Sequence, residues 1–186
     1  MELLTPRLRI RSFRREDLDA YAALVADAEV MQFLGGAQDR TQAAAYLDDL
    51  FVREAIGGVT RFAVERLDDG CFLGLCGYKT LLTPERLTDF GWRYTRASWG
   101  QGYGTEAAHA VHAYGRQTLG LRDISAGCAV ANVGSLRIIE RLGLPWRRFD
   151  TAEYGPEPDV RYYQRDPGKG AEYVAPSAAG DQSSGG

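Results

Sequence analysis

One stretch constrains the fold more than any other. Residues 89–95 read Asp-Phe-Gly-Trp-Arg-Tyr-Thr, a strand pattern. Ser98-Trp99-Gly100-Gln101-Gly102-Tyr103-Gly104-Thr105-Glu106 follows, and an amphipathic helical pattern starts at once. A strand, a turn of alternating glycines and a helix N-terminus form an anion site, because free backbone N–H groups converge there with the positive end of the helix dipole. Glycines let the backbone approach the anion without Cβ atoms in the way. A diphosphate is the natural guest.

The rest of the chain supplies a matching frame. Its 186 residues suit one domain with a substantial core. A first strand spans 8–13, and a helix through Leu18, Tyr21 and Leu24 stops near Gly35-Gly36. A second helix carries Leu47 and Leu50 from a cap at Thr41 to Gly57-Gly58. Strands at 60–66, 71–81 and 87–95 form a meander, turning at Asp69-Gly70 and again at Thr83-Pro84-Glu85-Arg86. The helix after the glycines closes at Gly120. A small, apolar strand at 124–130 is expected to be buried on both faces. Asn132 caps a short helix that stops at Gly143, and strands at 146–152 and 160–164 complete an α/β domain with a mixed sheet. Residues 167–186, rich in Gly, Pro, Ser and Ala, read as a disordered tail behind a domain of residues 1–166.

Composition narrows the function. A net charge of −3 gives no reason to expect a nucleic-acid partner. No apolar run is long enough to span a membrane, and the N-terminus lacks a secretory pattern, so a cytoplasmic protein is expected. Cys71, Cys76 and Cys128 lie in strand-like stretches and are expected as buried, reduced thiols. His109 and His112 have no third ligand at metal-binding spacing, so no metal is expected.

Four motifs in order carry a resemblance: Leu4-Thr5-Pro6-Arg7-Leu8-Arg9-Ile10-Arg11; Asp27-Ala28-Glu29-Val30-Met31, with Glu16-Asp17 before it; the glycine loop through Ala107; and Asn132-Val133-Gly134-Ser135-Leu136-Arg137 with Glu140-Arg141-Leu142-Gly143-Leu144. Over roughly residues 4–165 the chain resembles the GNAT superfamily of acyl-CoA-dependent N-acetyltransferases. It is similar to the Rim-like branch, whose best-known members acetylate N-termini of ribosomal proteins. The resemblance implies a mixed sheet, with helices on both faces, that splays between two parallel strands, here 87–95 and 124–130. Acetyl-CoA is the implied co-substrate. Pantetheine would lie in the splay against the N–H of Tyr94. The amides of Gly100, Gln101, Gly102, Tyr103, Gly104 and Thr105 would hold the pyrophosphate, and Asn132 would hold the cofactor through its side chain. One of Arg96, Arg137 and Arg141 would meet the 3′-phosphate.

Asp89 is the candidate general base, at a position where the family often has a glutamate. An acid in an apolar strand resists ionisation, which suits a base near neutral pH. Its alternative role is a place at the sheet edge or a pairing with an arginine. Ser135 is the candidate partner of the cofactor sulfur. Many family members carry a tyrosine four residues later as the acid for the leaving thiolate, and this chain has Ile139 there. Trp99 reads as a packing residue. The implied reaction is direct transfer of acetyl to a primary amine: a protein N-terminus, a polyamine, an aminoglycoside or another small amine. A catalytically silent acetyl-CoA-binding sensor is the alternative, and a homodimer stays open. Acceptor contacts are expected from residues 33–40, 51–58 and 154–159. The acidic run Glu153-Tyr154-Gly155-Pro156-Glu157-Pro158-Asp159 would favour cationic amines.

Overall fold

The computed structural model describes residues 1–80, 88–143, 147–151 and 159–164; in the last two segments it defines the backbone only. The turn at residues 83–86, the acidic run before Asp159 and the tail lie outside the described residues.

Eight strands form one sheet: β1 (Glu2–Leu4), β2 (Leu8–Arg11), β3 (Arg61–Arg66), β4 (Phe72–Thr80), β5 (Thr88–Tyr94), β6 (Ile124–Ala129), β7 (Arg147–Thr151) and β8 (Asp159–Gln164). Their spatial order is β1-β2-β3-β4-β5-β6-β8-β7. Neighbours are antiparallel except β5 and β6, which are parallel. Helices α1 (Leu18–Ala26), α2 (Ala28–Met31) and α3 (Arg40–Ala55) cover one face, and α4 (Tyr103–Gln117) covers the other, with α5 (Val133–Arg141) beside it. This is the expected mixed sheet with helices on both faces.

Strand alternation feeds the two cores. Phe62 and Val64 of β3 join Tyr78, Phe90, Ala107 and Val111 under α4, whereas Ala63 turns to Tyr21, Val25, Leu47 and Leu50 under α1 and α3. Four expectations change. The one helix expected from Leu18 to Gly35-Gly36 is two, α1 and α2, broken at an extended Asp27 whose side chain caps α2. The short β1 was not foreseen. The first residue of α3 is preceded by Asp39, not Thr41, as its cap: Asp39 accepts from the Gln42 N–H, and the Gln42 side chain accepts from the Asp39 N–H. That reciprocal pair satisfies two end groups where a lone threonine would satisfy one. Cys71 is exposed at the β3–β4 turn, while Cys76 and Cys128 are buried.

A buried ion cluster ties β2 to the start of α1. Arg11 donates to both carboxylate oxygens of Asp17 at 2.8 and 2.7 Å and also to Glu65. Burial alone would raise the pKa of Asp17, but the Arg11 guanidinium and the Arg14 N–H overcome it and hold the carboxyl below its ordinary value. A depressed carboxyl contributes stability above its unfolded pKa, and that stability is lost as pH falls through the folded value. Melting temperature should therefore hold from pH 7 to about 4 and drop below that. Asp17→Asn should melt lower at pH 7, because Arg11 loses a buried counter-charge, and should show a shallower acid drop. A second test concerns Gly115 on α4. The Tyr78 hydroxyl crosses this position to donate to the Val111 carbonyl at 2.9 Å, and a Cβ at 115 would collide with the phenol oxygen. Gly115→Ala should cost about 1–3 kcal/mol, seen as a lower melting temperature.

Candidate active site

The β5–β6 ladder is short. Thr88 pairs with Ile124 and Asp89 with Ser125, and no later residue of β5 pairs with β6. From there β6 stays with β8 through six pairs, from Ile124↔Gln164 to Ala129↔Asp159, and β5 stays with β4 as far as Tyr94↔Gly74. The sheet opens between them. The bond from the Thr95 N–H to the Leu73 carbonyl makes Tyr94↔Gly74 a non-hydrogen-bonded pair. The N–H and C=O of Tyr94, and by alternation those of Trp92, therefore point away from β4 into the gap. The Tyr94 C=O accepts from the Trp99 indole, and the two N–H groups are main-chain donors turned toward the opening.

A cleft of about 650 Å³ occupies the opening. Seven of the residues expected to hold the cofactor line it: Tyr94, Gly100, Gly102, Gly104, Thr105, Asn132 and Ser135. Gln101 and Tyr103 do not. The Gln101 amide turns back to the Ala97 carbonyl at 2.6 Å, and the Tyr103 ring is buried in the core. Tyr103 keeps its main-chain N–H at the first position of α4, beside those of Gly104 and Thr105. The first intrahelical bond runs from the Glu106 N–H to the Gly102 carbonyl, so these three N–H groups are the helix's end donors.

Gly100 and Gly102 adopt φ values of +74° and +81°, which favour glycine. Gly104 has another role. A Cβ there would lie 2.8 Å from Ile138 Cδ1 and 3.1 Å from Tyr94 Cε2, so this glycine lets α4 close on Tyr94 and α5.

A network that sequence reading missed holds the loop from behind. Glu106 Oε1 accepts from the Thr5 hydroxyl at 2.6 Å and the Arg7 N–H at 3.0 Å, and Oε2 accepts from Arg7 Nε at 2.7 Å. Arg7 also donates to the Gln101 carbonyl at 3.0 Å and lies 4.7 Å from the centre of the Tyr103 ring. Burial would raise the Glu106 pKa, but Thr5 and Arg7 hold it below the ordinary range.

Asn132 accepts from the Ser135 N–H at 3.0 Å and caps α5. The Ser135 hydroxyl accepts from Trp92 Nε1 at 3.3 Å, across the opening. The indole occupies one of the hydroxyl's two lone pairs, and the O–H can still donate. Trp92 also packs against both the main core and the small cluster of Ala126, Cys128 and Ile139. Ile139 is buried in that cluster. Trp99 is 44% exposed, and its indole N–H donates to the Tyr94 carbonyl at 2.9 Å. The Tyr94 phenol is buried beside the Cys76 thiol, whose pKa burial pushes up to about 12.

Asp89 lies on β5 at the last β5–β6 pair. It is buried, forms an ion pair with Arg61 at 3.0 Å, and does not line the cleft. Of the three candidate cations, Arg137 and Arg141 line the cleft, whereas Arg96 is held by Asp27 at 2.6 Å and Glu29 at 3.1 Å. Of the expected acceptor segments, Phe33 and Leu34 reach the cleft, joined by Glu29, Val30 and Gln32, and residues 51–58 do not. His109 meets the Arg141 carbonyl at 3.2 Å, and no group of metal-ligating side chains occurs among the described residues. No helix of the described residues is long and apolar enough to cross a membrane.

A sheet opened between parallel strands, with the end donors of a helix at its mouth, is the arrangement that the resemblance implied. The chain belongs to the GNAT acetyltransferase family: the profile of the acetyltransferase (GNAT) domain matches residues 7–145. It is 28% identical over 146 residues to YnaD of Bacillus subtilis, named as an uncharacterised N-acetyltransferase, covering 77% of this chain and 82% of that one. A GNAT-family acetyltransferase from Bacillus anthracis superposes with a TM-score of 0.72 at 25% identity, covering 88% and 96% of the two chains. The ribosomal-protein α-N-acetyltransferase RimL, solved in complex with coenzyme A, shares the fold with a TM-score of 0.75 at 14% identity, over 88% and 96%. The chain is an acetyltransferase of this fold.

The Arg7–Glu106 network holds the glycine loop from behind; if that loop takes the coenzyme's diphosphate, Glu106→Gln should weaken acetyl-CoA binding by roughly 5–10-fold, the equivalent of one charge-assisted hydrogen bond. Isothermal titration with acetyl-CoA reads this. At Gly100, where φ is +74° and a Cβ meets nothing within 4 Å, Gly100→Asp should weaken binding more than Gly100→Asn, which shares the backbone strain, by setting an anion beside an anion.

Proposed function

We propose that the protein transfers acetyl from acetyl-CoA directly to a primary amine. The observation that carries this is the pair of N–H groups, of Trp92 and Tyr94, turned into the gap where the β5–β6 ladder stops. The cleft residues fit the coenzyme. The N–H groups of Tyr103, Gly104 and Thr105 are suited to its diphosphate. Arg137 and Arg141, with no acidic partner among the described residues, are suited to the 3′-phosphate. Asn132 and the gap-facing backbone of β5 would hold the pantetheine arm. When bound, the coenzyme supplies an acetyl group activated as a thioester.

The chain's own groups divide the remaining work. A main-chain N–H aimed into the gap stabilises charge developing on the acyl oxygen, and it is already oriented before reaction. The Ser135 O–H, set by the Trp92 indole, donates to the departing sulfur. For proton removal the proposal assigns Asp89, at the apex where β5 and β6 part, acting through solvent. The cysteine thiols argue against a covalent enzyme intermediate: among the described residues none lines the cleft, and burial keeps Cys76 protonated.

Acetyl-CoA at about 100-fold over its Kd should add about 2.7 kcal/mol of stability, several degrees in melting temperature for a domain of this size. An unchanged melt would sink the proposal, while firm binding without thiol release from acetyl-CoA with any amine would favour the silent sensor. Ser135→Ala should lower kcat by about 10-fold, as expected for one modest hydrogen bond. If Asp89 takes the proton, Asp89→Asn should lower kcat by about 10²–10⁴ at pH 7, and the deficit should shrink toward pH 9 as the amine deprotonates unaided. A lower melting temperature with unchanged kcat would assign Asp89 to the Arg61 ion pair alone.

A further inference from the structure

The acetyl-transfer reading leaves the acceptor undefined, and Arg93 narrows it. Arg93 lies on β5 between the two residues whose backbones face the gap. Strand alternation turns its side chain away from Phe90 and Tyr94, which pack under α4, and toward α1. There its Nη1 donates to the Tyr21 hydroxyl at 3.1 Å. Asp89 and Gly91 share this face. The Asp89 carboxylate is committed to Arg61, whose guanidinium lies over Gly91, where a Cβ would come within 2.8 Å of Nη2. Two guanidiniums and one carboxylate therefore sit close together on this face of β5.

Arg93 has no acidic partner among the described residues. Its contact, Tyr21, is fully buried, and desolvation pushes that phenol's pKa up, so the hydroxyl stays neutral. Arg93 Nε is buried without a hydrogen-bond partner. Yet Arg93 is among the residues that line the cleft, as are Phe33 and Leu34. The cleft's one carboxylate among the described residues, Glu29, is paired with Arg96.

A guanidinium partly withdrawn from water without a counter-charge favours an anion in the site. The diphosphate is poorly placed to be that anion: the α4 end donors lie on the other face of β5, and Arg137 and Arg141 belong to α5. We infer that Arg93 receives a carboxylate carried by the acceptor. The acceptor class is then an amine that also bears a carboxylate, of the amino-acid type, rather than a polycation. Phe33 and Leu34 offer an apolar wall for the rest of it.

This inference rests on the acetyl-transfer reading, and the experiment separates the two. Thiol release from acetyl-CoA is followed with phenylalanine, methionine and lysine, each beside its amide and its decarboxylated amine. The amide's amine is less basic and so more often neutral, and reactivity alone would favour it. Wild type should instead prefer the amino acid by roughly 10–100-fold in kcat/KM, the range of a charged hydrogen bond. Arg93→Met should bring that ratio to about one. Tyr21→Phe, which keeps the ring stacking and removes Arg93's acceptor, should lower the ratio by a few-fold, and a retained melting shift with acetyl-CoA shows that each variant is folded. An amide or simple amine used as well as the amino acid, or a ratio unchanged in Arg93→Met, would overturn the inference. If no panel member is turned over, melts with CoA present decide: N-acetylphenylalanine and N-acetylmethionine should raise the wild-type melting temperature and not that of Arg93→Met, and equal melts overturn the inference. Loss of the acetyl-CoA shift in wild type would instead overturn the acetyl-transfer reading itself.

Discussion

The structure depends on where one hydrogen-bond ladder stops. β5 and β6 are joined at Thr88↔Ile124 and Asp89↔Ser125 and then part. Unpaired main-chain groups inside a sheet are expensive, so something must hold the strands apart. β8 secures β6 along its far side, β4 secures β5, and the Trp92 indole fills the angle by packing against both the main core and the Ala126–Cys128–Ile139 cluster. The strands are pinned to their outer neighbours and wedged at the centre. The unpaired groups are thus a fixed feature of the fold, ready for a ligand that can complete them. The glycine loop then needs only to place its helix end at the mouth of that opening.

The sheet's two faces divide the chemistry. On the α4 face, small residues allow close approach: Ala107, Ala108 and Gly115 bring the helix onto Tyr78 and Phe90, and Gly104 brings its first turn onto Tyr94. On the α1–α3 face, β5 carries Asp89 and Arg93, with Arg61 reaching across Gly91. On the proposed reading, coenzyme recognition by main-chain N–H groups and acceptor recognition by side chains would come from opposite sides of one strand and meet at Trp92 and Tyr94.

Local signals were legible in the sequence. The glycine loop, the Asn132 cap and the Gly143 stop each depend on residues a few positions apart, and the structure has them where the pattern put them. The α3 cap was misplaced by two residues because Asp39 and Gln42 form a reciprocal pair that outcompetes Thr41. β1 was missed because Glu2-Leu3-Leu4 is too short to show alternation. What could not be read was long-range: Arg7 behind the loop, Trp92 against Ser135, Arg61 on Asp89, Arg93 on Tyr21. An isolated arginine in a strand has no sequence period to report its partner. The glycine triplet also hid a difference in kind, since Gly100 and Gly102 serve backbone conformation and Gly104 serves packing.

The link between the N-terminal hairpin and the loop has a further consequence. Thr5 and Arg7 meet Glu106 across 99 to 101 residues of chain. Contacts so distant in sequence carry a large loop-closure entropy. The support behind the glycine loop is therefore complete only when both ends of that span are in place. On a ribosome, the hairpin can pair with β3 early, but more than half of the polypeptide must emerge before it meets Glu106. A coenzyme that recognises the clasped loop would then select for chains that have completed their longest-range connection, and saturation with it would double as proof-reading of the fold.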